Sequence, residues 1–267
     1  MKKYPHTLIF GASGNIGGKI AQLLLENDAP VGVVGRSSDR LRAFAGRAAI
    51  WAGDFADDAL LRKALQPAGS LFLTVPNEHL ENPAATAERL GHLLQGSAVT
   101  HIVNISNSIL KRGGQPTRLV AFEQELNKLP GLNILHLRCG NFFDNLNWGL
   151  HTPYLPDLRL PYVSSDEVAF VAANHLLRQD FNGIEVRSLL GARDYSMAEL
   201  AAAAGETYVQ QPYTPDNRLF YQPFNEGDFE VAPRTEANTS LAQHERFTLA
   251  YFLAHELVRP APEAAAV

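Results

Sequence analysis

The chain has 267 residues, of which 46% are hydrophobic and 19% are charged, and this apolar content excludes an intrinsically disordered protein. Its 23 Lys and Arg against 28 Asp and Glu give a formal net charge of -5, which argues against direct nucleic-acid binding, because phosphates require clustered basic residues. A chain of this length can build a large core without disulfides, as one large domain or two small ones.

The N-terminal half alternates short apolar runs with stretches of helical spacing. The predicted strands are 7–10, 31–34, 48–52, 70–75, 99–105 and 132–137, and the predicted helices are 16–27, 39–45, 57–65, 83–94 and 119–128. Near-continuous apolar strands joined by helices are typical of parallel strands that are buried on both faces and connected by right-handed crossovers. The pattern predicts a doubly wound parallel sheet.

This alternation weakens after about residue 140. We predict helices at 168–177 and 196–203, a strand at 185–190 and a final helix at 239–258. The segment 212–233 carries four prolines and several aromatic residues. We interpret it as an irregular segment that serves as a lid or a partner surface, with an ordinary packed loop as the alternative.

A glycine-rich stretch, GASGNIGG, lies at 11–18, between the first predicted strand and the first predicted helix. Gly11 permits a tight turn, Gly14 lets the backbone approach a pyrophosphate, and Gly17 lets the helix pack closely. The free N–H groups at the helix start then favour phosphate. We therefore predict a dinucleotide site, with a glycine-rich turn that has lost its cofactor as the alternative. Its predicted residues are Gly11, Ala12, Ser13, Gly14, Asn15, Ile16 and Gly17.

The Gly-x-x-Gly-x-x-Gly spacing resembles the NmrA-like branch of the short-chain dehydrogenase/reductase superfamily, which includes NAD(P)-binding regulators and quinone-oxidoreductase-like proteins. Further matching segments are 53–55, 103–106, 137–146, 162–169 and 191–200. The resemblance implies an α/β Rossmann fold, a doubly wound parallel sheet with a smaller C-terminal α/β region. We expect a Rossmann domain at 1–150 and a substrate or partner region at 151–267 that contributes partly to it.

The end of the second predicted strand indicates which nicotinamide cofactor is preferred. An acidic residue there would accept a hydrogen bond from the ribose 2′-hydroxyl and repel a 2′-phosphate. The chain instead has Arg36 and Ser37, which can hold a 2′-phosphate by charge-assisted and neutral hydrogen bonds. We predict NADP(H) over NAD(H), with Arg36 as a solvated loop residue being the alternative.

Other candidate site residues follow later strands, because ligands of open α/β sheets collect at strand carboxyl ends. The resemblance implies that Asp54 contacts adenine with Phe55 beside the ring, the alternative for Asp54 being a helix cap. The remaining cofactor candidates are Thr74, Val75, Pro76, Ser106, Asn107, Asn141 and Phe142. The candidates for a substrate wall, which are equally plausible as core or interface residues, are Phe142, Asn145, Trp148, Tyr154 and Tyr162.

The Tyr-x-x-x-Lys pair of many superfamily dehydrogenases is missing. None of the eight tyrosines has a lysine four residues later, and the helix 119–128 contains no tyrosine. Many NmrA-like members keep a lysine four residues before a glutamate; if Glu125 is that glutamate, the lysine position holds Ala121. The remaining catalytic candidates are Ser106 and Lys111, whose alternatives are a strand-end hydroxyl and a solvated lysine.

Two functions remain open from the sequence. The first is an NADP(H)-dependent oxidoreductase that acts on a small carbonyl or quinone. The second is a non-catalytic NADP(H) sensor that acts through a regulatory protein partner. No metal site is expected. The single cysteine fits a reducing compartment, and the lack of a signal peptide core and of an apolar run of about 18 residues predicts a cytoplasmic protein without a membrane span. The sequence does not distinguish a monomer from a homodimer.

Overall fold

The computed structural model describes residues 6–111, 115–239 and 244–258. Strands and helices alternate through most of this part of the chain. The strands are β1 (Thr7–Phe10), β2 (Val31–Gly35), β3 (Ala49–Ala52), β4 (Ser70–Leu73), β5 (His101–Asn107), β6 (Ile109–Lys111), β7 (Asn133–Cys139), β8 (Asn141–Phe142), β9 (Arg159–Val163), β10 (Ile184–Leu189), β11 (Asp194–Ser196) and β12 (Phe229–Val231). The helices are α1 (Asn15–Glu26), α2 (Ser38–Leu41), α3 (Asp58–Leu65), α4 (Pro83–Leu94), α5 (Arg118–Leu126), α6 (Ser165–Arg178), α7 (Met197–Ala203), α8 (Arg218–Asn225) and α9 (Leu249–His255).

Seven of these strands form one parallel sheet in the order β10-β7-β5-β4-β1-β2-β3. The chain runs outward from β1 through β2 to β3, then returns to the other side of β1 and continues through β4. The strand order therefore reverses between β1 and β4, and such a switch point opens a crevice at the carboxyl ends of the strands. The predicted doubly wound Rossmann fold is confirmed.

Helices cover both faces of this sheet. Ile20 and Leu24 of α1 pack in one core cluster together with α6, while Leu61 of α3, Leu90 of α4 and Phe122 of α5 belong to a second cluster on the other face. The strands between these two layers are apolar on both faces, and all four residues of β1 are buried. The near-continuous apolar runs of the sequence follow from this double burial.

The later part of the chain adds β10 to the main sheet, against β7, and α6 to one of its faces. Two smaller sheets, β11-β9-β8 and β12-β6, lie outside the main one. Their residues contribute to a third apolar cluster, which includes Phe143, Tyr162 and Leu200. No helix in the described ranges is long and apolar enough to span a membrane.

Two sequence-based expectations for this later part are wrong. The segment 212–233, expected to be irregular, contains α8 and β12. The expected helix at 239–258 is reduced to α9, preceded by a 3-10 turn at Glu245–Phe247, while 240–243 lie outside the described residues. Thr248 has extended backbone and accepts a hydrogen bond from the Tyr251 N–H, so it starts a new, shorter helix.

Candidate functional site

A cleft of about 450 Å³ lies over the switch point of the main sheet, at the carboxyl ends of β1, β2 and β4. The wall includes the glycine-rich loop, the residues that follow β2 and β4, and the loop after β8. Its lining residues are Phe10, Gly11, Ser13, Gly14, Asn15, Ile16, Gly17, Val34, Gly35, Arg36, Gly53, Phe55, Phe72, Thr74, Val75, Pro76, Ile105, Phe142, Asp144, Asn145 and Trp148.

The glycines shape the floor of this cleft. Gly11 has a φ of +71°, which only glycine adopts readily, and a Cβ there would lie 2.5 Å from Cγ2 of Thr74. A Cβ at Gly17 would lie 2.5 Å from the backbone oxygen of Gly11. The turn off β1 and the close approach of α1 to that turn therefore both require glycine.

The start of α1 offers free hydrogen-bond donors to the cleft. The N-cap residue is Gly14, which has no side chain to accept the first N–H groups of the helix. Those N–H groups and the helix dipole together favour a phosphate group. The loop behind them is fixed, because the Ala12 N–H donates to Val34 O at 2.9 Å and the Arg40 guanidinium donates to Ser13 O at 3.3 Å. The cradle therefore has the shape and the donors that a pyrophosphate requires.

The β2 side of the cleft carries a guanidinium and a carboxylate at its rim. Arg36 follows β2 directly, and its side chain is exposed and lies 3.8 Å from Glu78. Ser37 is the N-cap of α2, where its hydroxyl accepts a hydrogen bond from the Arg40 N–H. Arg36 thus lines the cleft, whereas the Ser37 side chain is engaged with the backbone beside it.

Phe55 forms the inner surface of this side. Its ring is buried and packs edge-on against Phe10 at 6.0 Å, with His79 at 4.9 Å and the Arg89 guanidinium at 5.2 Å. Asp54 is exposed, and its carboxylate accepts a hydrogen bond from the Ala56 N–H at 2.9 Å. The N-cap of α3 is Asp57 rather than Asp54.

The opposite side of the cleft is lined by Thr74, Val75 and Pro76 after β4 and by the loop after β8. Trp148, at the rim, is 87% exposed. Asp144, in the same loop, accepts a hydrogen bond from the amide of Asn15. This contact crosses from a 3-10 helix at Phe143–Trp148, which follows β8, to the first turn of α1. Asp144 was not among the predicted site residues, although it lies within the segment 137–146 that carries the family resemblance.

Several predicted residues surround the cleft without lining it. Ser106 is buried, and since side chains alternate along β5, it points away from Ile105, which does line the cleft. Among the described residues, its hydroxyl has no hydrogen-bond partner, and neither has the amide nitrogen of Asn141. The Asn107 side chain accepts a hydrogen bond from the Ile109 N–H, and the Lys111 side chain is exposed on β6.

Tyr154 and Tyr162 lie in the third apolar cluster and not in the cleft wall. Both are buried, and burial raises the pKa of each phenol. The Tyr162 hydroxyl donates to Sδ of Met197 at 3.4 Å. The structure therefore places both tyrosines in the core, as in the alternative stated above, while Phe142, Asn145 and Trp148 line the cleft.

The helix α5, where a Tyr-x-x-x-Lys pair would sit, carries an ion pair with the neighbouring strand. Glu123 of α5 is buried and accepts hydrogen bonds from the guanidinium of Arg138 on β7, the shortest at 2.6 Å. Arg138 is in register with Ser106 on β5, so this ion pair lies on the same face as the Ser106 hydroxyl.

An NAD(P)H-binding family model matches residues 11–126, a segment that begins at the glycine-rich turn and ends with α5. The match shows that residues 11–126 are similar to NAD(P)H-binding domains, over a little less than half of the chain. The predicted glycines in the floor of the cleft fall within this match, whereas the lining residues Phe142, Asp144, Asn145 and Trp148 lie beyond it. No curated protein matches the chain.

Solved structures share the fold over most of the chain. An NADPH-dependent quinone oxidoreductase from Escherichia coli, solved with NADPH, has a TM-score of 0.74 and 18% identity, covering 94% of this chain and 99% of its own. A nucleoside-diphosphate-sugar epimerase from Staphylococcus aureus has a TM-score of 0.72 and 18% identity, covering 93% and 99%. NmrA, a negative transcriptional regulator solved with NADP, has a TM-score of 0.65 and 16% identity, covering 89% and 79%. The expected structural resemblance to NmrA-like proteins is confirmed.

Proposed function

We propose that this chain is an NADP(H)-dependent oxidoreductase in the cytoplasm, which transfers a hydride to or from a small carbonyl compound or a quinone. The observation that carries the choice of NADP(H) is Arg36, an exposed guanidinium that lines the cleft directly after β2. A carboxylate at this place would repel a 2′-phosphate, whereas a guanidinium binds it through charge-assisted hydrogen bonds.

The proposed binding mode assigns a task to each side of the cleft. The N–H groups at the start of α1 bind the pyrophosphate, and Phe55 packs beside the adenine. Thr74, Val75 and Pro76 contact the ribose, and the nicotinamide end lies toward Phe142. Asn145 and Trp148 then border the substrate on the remaining side.

Bound NADPH supplies the hydride for reduction of the substrate, and the protein orients and shields the reacting carbon. Phe142 and Trp148 border the nicotinamide end of the cleft. The substrate oxygen also needs a proton, and α5 offers no tyrosine for this purpose. Ser106, at the end of β5, and Lys111, on β6, are the residues we propose for polarising the oxygen. Neither lines the cleft described above, so this role requires a rearrangement that brings one of them to the substrate.

The reaction is tested by measuring NADPH oxidation at 340 nm across a panel of quinones and aldehydes. We expect turnover with at least one member of the panel and loss of turnover when Trp148 is replaced by alanine, with NADPH affinity retained. Tight NADPH binding without turnover of any member would contradict the oxidoreductase assignment.

A second candidate, a non-catalytic NADP(H) sensor, is favoured by the missing Tyr-x-x-x-Lys pair. In this reading, cofactor binding orders the segment 212–233 and changes its contact with a regulatory protein partner. Amide hydrogen exchange with and without NADPH separates the two candidates. A sensor requires added protection in 212–231 on NADPH binding, whereas an enzyme without this regulation requires protection only around the cleft.

For the domain organisation, we propose a cofactor domain over 1–150 and a substrate region over 151–267. The return of β10 and α6 to the main sheet supports a shared core between them. A monomer or a homodimer is compatible with this arrangement.

A further inference from the structure

The rim of the cleft on the β2 side holds a carboxylate as well as the guanidinium discussed above. Nη1 of Arg36 lies 3.8 Å from Oε1 of Glu78, and the two side chains are 70% and 60% exposed. Glu78 follows the cleft-lining residue Pro76 by two positions, in a 3-10 turn at Asn77–Leu80. The two charges therefore face one another at the end of the cleft where a 2′-phosphate would bind.

The backbone that carries Glu78 is held in place on both sides. The ring of His79, its neighbour, packs against Phe55 at 4.9 Å, and the His79 carbonyl accepts a hydrogen bond from the Thr86 hydroxyl of α4 at 2.6 Å. The His79 N–H donates to Pro76 O at 3.0 Å. The turn that carries Glu78 is therefore held in place by tertiary contacts, and it positions Glu78 opposite Arg36.

We propose that Glu78 is a specificity-determining residue, which competes with the cofactor 2′-phosphate for Arg36 and so lowers the preference for NADP(H) over NAD(H). A 2′-phosphate must draw Arg36 away from Glu78 and must also sit close to a like charge, which is unfavourable. NADH carries a 2′-hydroxyl at the same position and experiences neither effect. With Glu78 beside Arg36, the affinities for NADPH and NADH therefore differ less than they would with Arg36 alone.

The inference rests on the proposed role of Arg36, and it is tested by the dissociation constants of NADPH and NADH, measured by titration of cofactor fluorescence. For Glu78→Gln, we expect NADPH to bind about two- to fivefold more tightly, as for an exposed ion pair, with NADH affinity unchanged. In the Arg36→Ala variant, adding Glu78→Gln should change the NADPH dissociation constant much less, because Glu78 and the 2′-phosphate no longer compete for Arg36.

The chain offers a matched control in the same region. Glu81 lies three residues beyond Glu78 and faces Arg118 at 3.9 Å, with both side chains similarly exposed. Glu81→Gln changes the net charge by the same amount without touching Arg36. It should therefore leave the NADPH to NADH ratio as in the wild type.

The outcomes separate the inference from the proposed function. If Arg36→Ala weakens NADPH while Glu78→Gln behaves like Glu81→Gln, the role of Glu78 is wrong and that of Arg36 stands. If Arg36→Ala leaves NADPH affinity unchanged, the assignment of Arg36 fails, and the inference fails with it. Tighter NADPH binding in both glutamate variants would indicate a long-range charge effect and would also overturn the inference.

Discussion

At the scale of single residues, the most constrained position in the cleft is Gly17. A Cβ there would meet a backbone oxygen of Gly11, and a backbone atom cannot move aside without moving the loop. We expect Gly17→Ala to weaken NADPH binding by about fivefold or more, as overpacking of this kind costs ~1–3 kcal/mol. The measurement is the NADPH dissociation constant, together with circular dichroism to verify folding.

Gly91 provides the comparison for this substitution, since it also lies inside a helix. A Cβ at Gly91 would lie 2.8 Å from Cδ2 of Leu129, which is the end of a flexible side chain outside the cleft. Gly91→Ala should therefore leave NADPH affinity unchanged. Equal affinities of the Gly17→Ala and Gly91→Ala variants would contradict the assigned role of the glycine loop.

The sequence predicts the positions of some residues of the cleft and not those of others. Gly11 and Arg36 follow apolar strands directly, and their positions at the cleft follow from strand order alone. Glu78 and Asp144 reach the cleft through a 3-10 turn and through a side-chain contact with Asn15, and no periodicity encodes either. Tyr162 was ambiguous because a buried aromatic residue and a pocket wall have the same sequence signature.

At the scale of elements, Lys19 joins three parts of the chain. Its Nζ donates to Asp166 of α6 and to Glu256, both at 2.8 Å, and to the Ser165 hydroxyl at 2.9 Å. Burial lowers the pKa of Lys19, but the two carboxylates outweigh this effect, so that the net shift is upward. Lys19→Met breaks these links between α1, α6 and the segment after α9.

We expect Lys19→Met to reduce the free energy of unfolding by about 1–2 kcal/mol, because the ion pairs are only partly exposed and the carboxylates lose their donor. Urea denaturation measures this change. Lys63→Met, on the exposed side of α3, serves as the control and should change stability by less than about 0.5 kcal/mol. Equal effects of the two substitutions would mean that the Lys19 contacts do not stabilise the fold.

The prediction of elements from sequence succeeded where double burial imposes an unambiguous apolar run, as in β1, β2 and β4. It failed for α8, because the four prolines of 212–233 favour irregular structure. In the structure, Tyr221 and Phe224 of α8 pack on Tyr154 at 4.7 and 5.5 Å, and this tertiary contact supports a short helix that contains Pro223. Local propensity alone could not indicate a contact across about 70 residues.

At the scale of the whole molecule, buried histidines link stability to pH. His136 is fully buried, with Nε2 2.8 Å from Asn127 Oδ1 and Nδ1 3.0 Å from the Asn104 amide, an arrangement that suits the neutral ring. Burial lowers the pKa of His136, and the smaller effects of Glu123, which raises this pKa, and of Arg138, which lowers it, act against each other. Burial also lowers the pKa values of His6 and His101.

Because each of these pKa values is lower in the folded state, the unfolded chain binds more protons as the pH falls below the ordinary value of 6.5. The stability present above that pH is therefore lost progressively as the pH falls toward the folded-state pKa values. We expect the free energy of unfolding to drop by about 1 kcal/mol or more between pH 7.5 and 5.5. His136→Gln should reduce this drop, and an unchanged pH dependence in that variant would contradict the role assigned to His136.

The central claim is that the cleft over the switch point binds NADP(H) in preference to NAD(H), with Arg36 as the reason. The most direct test is the ratio of the dissociation constants of NADPH and NADH for the wild type and for Arg36→Ala. We expect NADPH to bind more tightly to the wild type, and Arg36→Ala to weaken NADPH at least about tenfold while leaving NADH unchanged. Equal or tighter binding of NADH by the wild type would contradict this claim.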